Sequence, residues 1–481
     1  FFRLNYAFDD RYLLEVNGRY DGSSRFPSDE RWAFFPSASV GWRISQEPWW
    51  NVKSEHISNA KIRFSWGSLG NAAGLSNYQY IQTLGISKSD YILDGLRQNY
   101  MSSPAALPGN LTWETATTYD IGVDLGFFDN RLTVSGDYYI RKTTDMIVNG
   151  PTVPDVFGAS SPKGNYADMS TYGYELSLEW RDGFDLAGKR FNYSIKGTLA
   201  DYYSVIDRFN NANMSLSEYA NQSLDKNYYE GMRIGEIWGF VSNGLWQDQA
   251  SIDAAEAAAK AAGQSYYNPL MQTSKTYKLY PGDIKFEDLN GNGYIDRGQN
   301  TVDDPGDRKI IGNSTRRYQY GIHGGASWKG FSLSFLLQGV GKRDLWIMND
   351  LFYPHYDAWT TVYDTQLNYW TPERTDSYFP RLYEKAAGNT AANTRIQTRY
   401  LQDGSYLSIR NITLSYNFPS KWMTKIGVNN LAVFFSGENL YTFDHLPKGL
   451  DPERSVTDDL GQRGFTYPYM RQYSFGINLS F

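Results

Sequence analysis

Nine residues, Asp288-Leu-Asn-Gly-Asn-Gly-Tyr-Ile-Asp296, place side-chain oxygens at Asp288, Asn290, Asn292 and Asp296 and offer a backbone carbonyl at Tyr294. This is the spacing of a calcium loop of EF-hand type. A hard cation takes six to eight oxygens, and positions 1, 3, 5, 7 and 9 of such a loop can wrap one ion around a glycine turn. Gly293 stands at that turn, but Gln299 replaces the bidentate glutamate of position 12. A further ligand must then come from elsewhere, with Asp303, Asp304 and Asp307 nearby. The ion expected here is structural: it would cross-link a long connection whose ordering otherwise costs conformational entropy. The same residues also suit a polar turn holding no ion, because Asn-Gly is a common turn dipeptide.

Catalytic chemistry finds little support, and the chain is read as no enzyme. No two of the four histidines, His56, His323, His355 and His445, stand at the spacing of a zinc helix, and no Gly-x-Ser-x-Gly elbow occurs. His323 falls on the polar face of an expected strand. Gly339-Val-Gly-Lys342 lacks the first glycine and the hydroxyl residue of a phosphate loop. Recognition is better served by aromatic residues. Trp346 precedes a stretch holding Phe352, Tyr353, Tyr356, Trp359, Tyr363, Tyr369 and Trp370, interleaved with Asp350, Asp357 and Asp364. Such side chains combine contact area with a polar handle for sugars, peptides or a partner protein; they serve equally to pack the loop against its neighbours.

The elements that would position these residues announce themselves by a period of two. At the C-terminus Tyr473, Phe475, Ile477, Leu479 and Phe481 alternate with Ser474, Gly476, Asn478 and Ser480. One face of such a strand wants an apolar medium and the other accepts water. The pattern recurs in Phe2, Leu4, Tyr6 and Phe8, in Tyr119, Ile121, Val123, Leu125 and Phe127, in Tyr318 to Trp328, and in Ile412, Leu414, Tyr416 and Phe418. Asp120 and Asp124 lie on the second face, where a dry sandwich core would not tolerate them. The reading is an all-β fold: an antiparallel transmembrane β-barrel wall of about 13 strands, with Val123, Leu125, Leu414 and Ile477 toward lipid.

Composition agrees. Aromatics make up 16% of the 481 residues, with 39 Tyr and 14 Trp, yet mean hydropathy is -0.54, as befits a wall with aromatic girdles and a wet interior. No apolar run approaches the roughly 18 residues of a membrane helix. Cysteine is absent, and a net charge of -6 argues against nucleic acid as a partner. Tight turns at Asp9-Asp10-Arg11, Asp129-Asn130-Arg131, Lys329-Gly330 and Pro419 to about Lys425 alternate with long loops. The long ones run from about Asn71 to Asn110, Asp207 to Thr315, Met348 to Thr398 and Pro447 to Tyr467, and are expected to be extracellular. Within 207–315, alanine-rich Ser251 to Gly263 should form a short exposed helix. Single-chain bacterial barrels close with an even number of strands, so an odd count implies a wall completed elsewhere. In a 22-stranded plugged transporter, this chain would supply roughly the last three-fifths.

Certain stretches are more specific than their periodicity: Arg11-Tyr-Leu-Leu-Glu-Val-Asn-Gly-Arg-Tyr-Asp-Gly-Ser-Ser-Arg-Phe26, Phe35-Pro-Ser-Ala-Ser-Val-Gly-Trp42, Trp113-Glu-Thr, Tyr119-Asp-Ile-Gly-Val-Asp124, Gly282 to Asp296, Ile310-Ile-Gly-Asn313, Asp403 to Tyr416, Gly437-Glu-Asn-Leu-Tyr441 and Gly449-Leu-Asp-Pro452. Together they resemble one family, the SusC/RagA-like TonB-dependent outer-membrane transporters of Bacteroidetes, and run through residues 1–481 in family order. The resemblance implies import of an oligosaccharide or oligopeptide across the cell outer membrane, energised by TonB through an N-terminal plug absent from this sequence, with a SusD-like lipoprotein as lid. The rival expectation is a passive porin or a structural barrel without energised transport.

Overall fold

The computed structural model describes residues 1–101, 106–109, 111–150, 154, 156, 161–216, 228–264, 278–347, 362–383, 392–454 and 469–480. Thirteen strands form one sheet: β1 (Phe2–Phe8), β2 (Tyr12–Gly22), β3 (Trp32–Arg43), β4 (Ile57–Asn71), β7 (Glu114–Phe127), β8 (Leu132–Asn149), β9 (Lys163–Leu186), β10 (Lys189–Arg208), β15 (Arg317–Trp328), β16 (Phe331–Lys342), β19 (Tyr406–Asn417), β20 (Asn430–Asp444) and β21 (Gln472–Ser480). Each pairs with its neighbour in that order, and β1 and β21 are the two outer strands, not paired with each other. The expected wall of about 13 strands is therefore present and open-edged. The remaining strands lie in the connections: β5 (Ile86–Leu93) pairs with β6 (Leu96–Met101), β11 (Glu236–Phe240) with β14 (Arg308–Asn313), β12 (Ser242–Leu245) with β13 (Ile284–Phe286), and β17 (Asp344–Trp346) with β18 (Leu401–Asp403).

The chain divides into two compact units. In the first, registered pairing aligns Tyr6, Leu14, Val40, Phe64, Ile121, Tyr138 and Tyr174 in one row across seven strands. All seven are exposed. The adjacent row on the other face reads Asn5, Glu15, Ser39, Ser65, Asp120 and Tyr139. In the second unit the corresponding rows are Ala326, Leu333, Leu414, Phe435 and Phe475 on one face and Gly325, Ser334, Thr413, Ser436 and Ser474 on the other. The polar row is knit by Thr413 and Ser436 hydroxyls at 2.8 Å and by the Asn411 amide donating to Ser436 at 3.0 Å. A continuous apolar face with this exposure is a surface made for hydrocarbon.

Short connections alternate with long ones, as the sequence implies. Lys329 (φ 48) and Gly330 (φ 91) make the two-residue turn from β15 to β16, the type in which both central residues take positive φ. Ala187 (φ 49) and Gly188 (φ 74) do the same between β9 and β10. That turn escapes sequence reading because Ala rarely adopts the left-handed region. Aromatic rings crowd these turns: Phe128 meets Trp180 at 6.1 Å, Phe331 meets Tyr416 at 4.5 Å, and Tyr416 meets Phe418 at 4.9 Å.

Six glycines are covered by the ring of their registered cross-strand partner: Gly18 by Phe2, Gly22 by Trp32, Gly173 by Tyr139, Gly324 by Phe335, Gly339 by Tyr320 and Gly476 by Phe434. A Cβ at any of them would overlap the ring.

Candidate functional site

In the second unit, the connections β10–β15 and β16–β19 build a packed module with a core of its own. Its buried residues include Ile237, Phe240, Trp246, Ile284, Phe286, Ile295, Leu345, Trp346, Trp370 and Tyr400. Strand pairs β11–β14, β12–β13 and β17–β18 frame it, and Phe240 N–H donates to the Ile396 carbonyl at 2.8 Å to tie one connection to the other. The alanine-rich segment forms α1 (Gln249–Ala261), capped by the Asp248 carboxylate accepting from Ser251 N–H at 2.8 Å. It is not simply an exposed helix. Ile252 and Ala259 are fully buried in the module core, so tertiary packing joins propensity in holding it.

The aromatic residues divide. Trp346 and Trp370, only 4% and 5% exposed, belong to the module core and pack the loops together. Tyr369 packs against that core, whereas Tyr363 is exposed. Phe352, Tyr353, Tyr356, Trp359, Asp350, Asp357 and His355 lie outside the described residues.

The Asp288–Asp296 turn spans the connection from β13 to β14 and is anchored through Ile295, which is buried in the core. Its oxygens follow a regular scheme. The Asp288 carboxylate accepts from the N–H groups of Gly291 (2.7 Å), Asn292 (3.2 Å) and Gly293 (2.7 Å). Asn290 Oδ1 accepts from Asn292 N–H, and Asn292 Oδ1 from Tyr294 N–H, both at 3.1 Å. Gly291 (φ 73) and Gly293 (φ 88) supply the left-handed conformations this winding needs. Asn292 Nδ2 donates to Asp296 Oδ2 at 2.7 Å, and Asp296 Oδ1 accepts from Gly298 N–H at 2.6 Å.

Asp307, one of the three carboxylates considered as an extra ligand, braces the loop instead. It is wholly buried; Oδ1 accepts from Leu289 N–H at 2.7 Å and Oδ2 from Asp296 N–H at 2.7 Å, clamping both ends of the turn. Burial pushes its pKa above the usual carboxylate range despite these donors. Asp304 accepts from Gln299 N–H at 3.1 Å. As a donor set, two carboxylates, two amide oxygens and a carbonyl suit calcium in kind. No group of three or more Asp, Glu or His residues among the described residues is placed to hold a metal. Asn292 presents its amide nitrogen to Asp296, so the amide must turn over before its oxygen can face an ion.

Elsewhere, His323 lies exposed on the polar face of β15 opposite Leu336, and His56 is exposed in the β3–β4 connection. The fold does gather Ser405, His445 and Asp403, which the sequence pattern did not link. Ser405 Oγ (3.4 Å) and Asp403 Oδ2 (3.3 Å) both approach the same ring nitrogen, Nδ1, and the side chains of His445 and Asp403 are more than half exposed. A proton relay needs one partner on each nitrogen, so this is a surface contact. In the first unit, Arg63 bridges Asp124 (2.8 Å) and Asp137 (2.9 Å) on the polar face. Those charges are partly exposed.

The chain matches the family model described as "TonB dependent receptor-like, beta-barrel" over residues 1–431. It is 30% identical to TonB-dependent receptor P3 of Formosa agariphila, covering all of this chain and 45% of the relative. It is 27% identical to TonB-dependent receptor SusC of Bacteroides thetaiotaomicron, covering all of this chain and 43% of SusC. The structure of the RagAB peptide transporter superposes with a TM-score of 0.71 at 22% identity, covering all of this chain and 47% of that one. The chain thus spans a little under half the length of the relatives it matches. An open antiparallel sheet with a lipid-compatible face, alternating short and long connections and a family match over nine-tenths of its length make this chain a member of the TonB-dependent receptor-like β-barrel family of the outer membrane.

Proposed function

We propose that the chain forms the C-terminal wall of an importer that carries large nutrient fragments, oligosaccharides or oligopeptides, across the outer membrane. A plug and the first strands, in the part of its relatives that this chain does not span, would complete a barrel of 22 strands and couple it to TonB. A SusD-like lipoprotein would rest as a lid on the long-connection rim. The observation that carries this reading is the loop module. Two connections share a core that includes Trp246, Trp346 and Tyr400, giving a large packed platform on the long-connection side of the wall. A passive pore has no need of such a platform. The test is uptake of labelled oligopeptides and oligosaccharides by cells carrying the full-length protein, with and without TonB. Import lost without TonB supports the proposal; equal entry in both strains would replace it with a passive pore.

The turn at Asp288, Asn290, Asn292, Tyr294 and Asp296 is proposed to hold a structural calcium ion. The support is its oxygen-only donor set and its place between β13 and β14, where an ion would fasten the module's outer loop. Calorimetry on the purified full-length protein should show calcium binding that Asp288→Ala weakens, with the barrel still folded. No heat at millimolar calcium would end the proposal.

A further inference from the structure

The β19–β20 pairing contains an irregularity that positions an arginine. Ile409 pairs with Tyr441 and Asn411 with Glu438, so Arg410 has no registered partner on β20, and the ladder to β16 shifts at the same place. A bulge of this kind re-aims its side chain. Arg410 donates to Asn439 Oδ1 at 3.0 Å and to the Glu453 carboxylate. Two further guanidinium groups approach the same segment. Arg316, just before β15, donates to the Glu453 carbonyl at 3.2 Å. Arg343, just after β16, donates to the Ser314 carbonyl at 3.1 Å and the Pro452 carbonyl at 3.0 Å. Arg316 and Arg410 both bond Glu453 and Arg343 bonds the adjoining Pro452, so the three guanidinium groups converge on one segment.

Three guanidinium groups gather on a segment that offers them one carboxylate. Arg343 is only 6% exposed and, among the described residues, bonds main-chain carbonyls alone. Burial and the neighbouring Arg316 pull its pKa down to about 10, still charged at neutral pH. Buried charges are ordinarily paired. Glu453 forms an ion pair with Arg410. Asp451 accepts from Glu453 N–H (2.8 Å) and from Tyr469 N–H (3.2 Å). Arg454 lies over the Tyr469 ring at 5.0 Å, which Arg410 also faces at 5.1 Å.

We infer that Arg316, Arg343 and Arg410 form a binding site for an acidic oligopeptide, in which the segment Asp451–Arg454 is the resident occupant and Glu453 supplies the carboxylate. The segment presents two successive main-chain carbonyls and one carboxylate to three guanidinium groups, which is the chemistry of an extended acidic peptide. An incoming peptide would exchange for it, Glu453 leaving Arg410 as a cargo carboxylate takes its place. This rests on the importer reading and narrows its cargo.

The test measures binding of hexaglutamate to the full-length purified protein by calorimetry, with hexaserine and oligogalacturonate as comparisons. Glu453→Gln, which keeps the shape and removes the competing charge, should tighten hexaglutamate binding by about tenfold. Asp253→Asn, removing an equal charge on α1, should leave binding unchanged. Arg410→Gln in the Glu453→Gln background should reverse the gain, with Arg410→Lys restoring part of it. The site is overturned if Glu453→Gln brings no gain, if Asp253→Asn brings an equal one, or if hexaserine gains as much. It is overturned as a peptide site if oligogalacturonate gains more. Uptake that proves independent of TonB would instead fell the importer reading and leave these binding results standing.

Discussion

At the residue scale, Glu47 shows how one acid holds a rim. Its Oε1 accepts from the Tyr12 hydroxyl at 2.7 Å and from Trp42 Nε1 at 2.8 Å, and Oε2 from Arg11 at 3.4 Å. The Tyr12 and Trp42 bonds, and then Arg11, hold its pKa below the ordinary glutamate value. A depressed carboxylate contributes stability above its unfolded pKa and loses it as pH falls through the folded value. Hydrogen exchange across residues 44–56 should accordingly speed up below about pH 4, and Glu47→Gln should exchange fast at every pH. A wild-type profile flat through that window would contradict the assignment. What the sequence discloses at this scale depends on separation along the chain. The oxygens of Asp288 to Asp296 were legible because the turn is local. Arg410 and Glu453 are 43 residues apart, and no local pattern links them. Trp346 and Trp370 suited a surface or a core alike, and only burial separated the two.

At the element scale, the period of two did most of the specifying, because a one-residue slip would turn every side chain to the wrong medium. It failed at the bulge in β19, where the apolar positions change from Leu407 and Ile409 to Ile412 and Leu414. It also said nothing about α1, whose buried face is set by distant residues. Since Leu414 sits in the apolar row and Thr413 in the polar one, the two faces can be told apart by charge. Leu414→Arg should destabilise the wall by about 2–4 kcal/mol near the bilayer midplane, and Ser334→Lys, exposed beside Thr413 in that polar row, by less than about 0.5 kcal/mol. Guanidinium unfolding in lipid vesicles reads both, and equal losses would mean the faces are misassigned.

At the scale of the whole molecule, the strand count was legible because each strand carries its own pattern. The open edges were legible too, from the odd count: among the described residues β1 and β21 each lack an outer partner. An unpaired edge in hydrocarbon costs several kcal/mol for each orphaned backbone group. The chain refolded alone in detergent should therefore fail to show the heat-dependent gel mobility of a closed barrel, which the full-length protein should show; a heat-modifiable species from the chain alone would refute this. Alternation, moreover, guards only against odd slips. Displacement of a strand by two residues keeps every face correct, and the burial pattern cannot detect it. The glycines beneath rings can: moving β15 by two residues would set Phe335 over Ile322 or Ala326 instead of Gly324, and moving β21 would set Phe434 over Ser474 or Asn478 instead of Gly476. A strand that docks two residues out of place thus meets a steric veto before its ladder is complete, and the wall carries its own proofreading at positions where a side chain is missing.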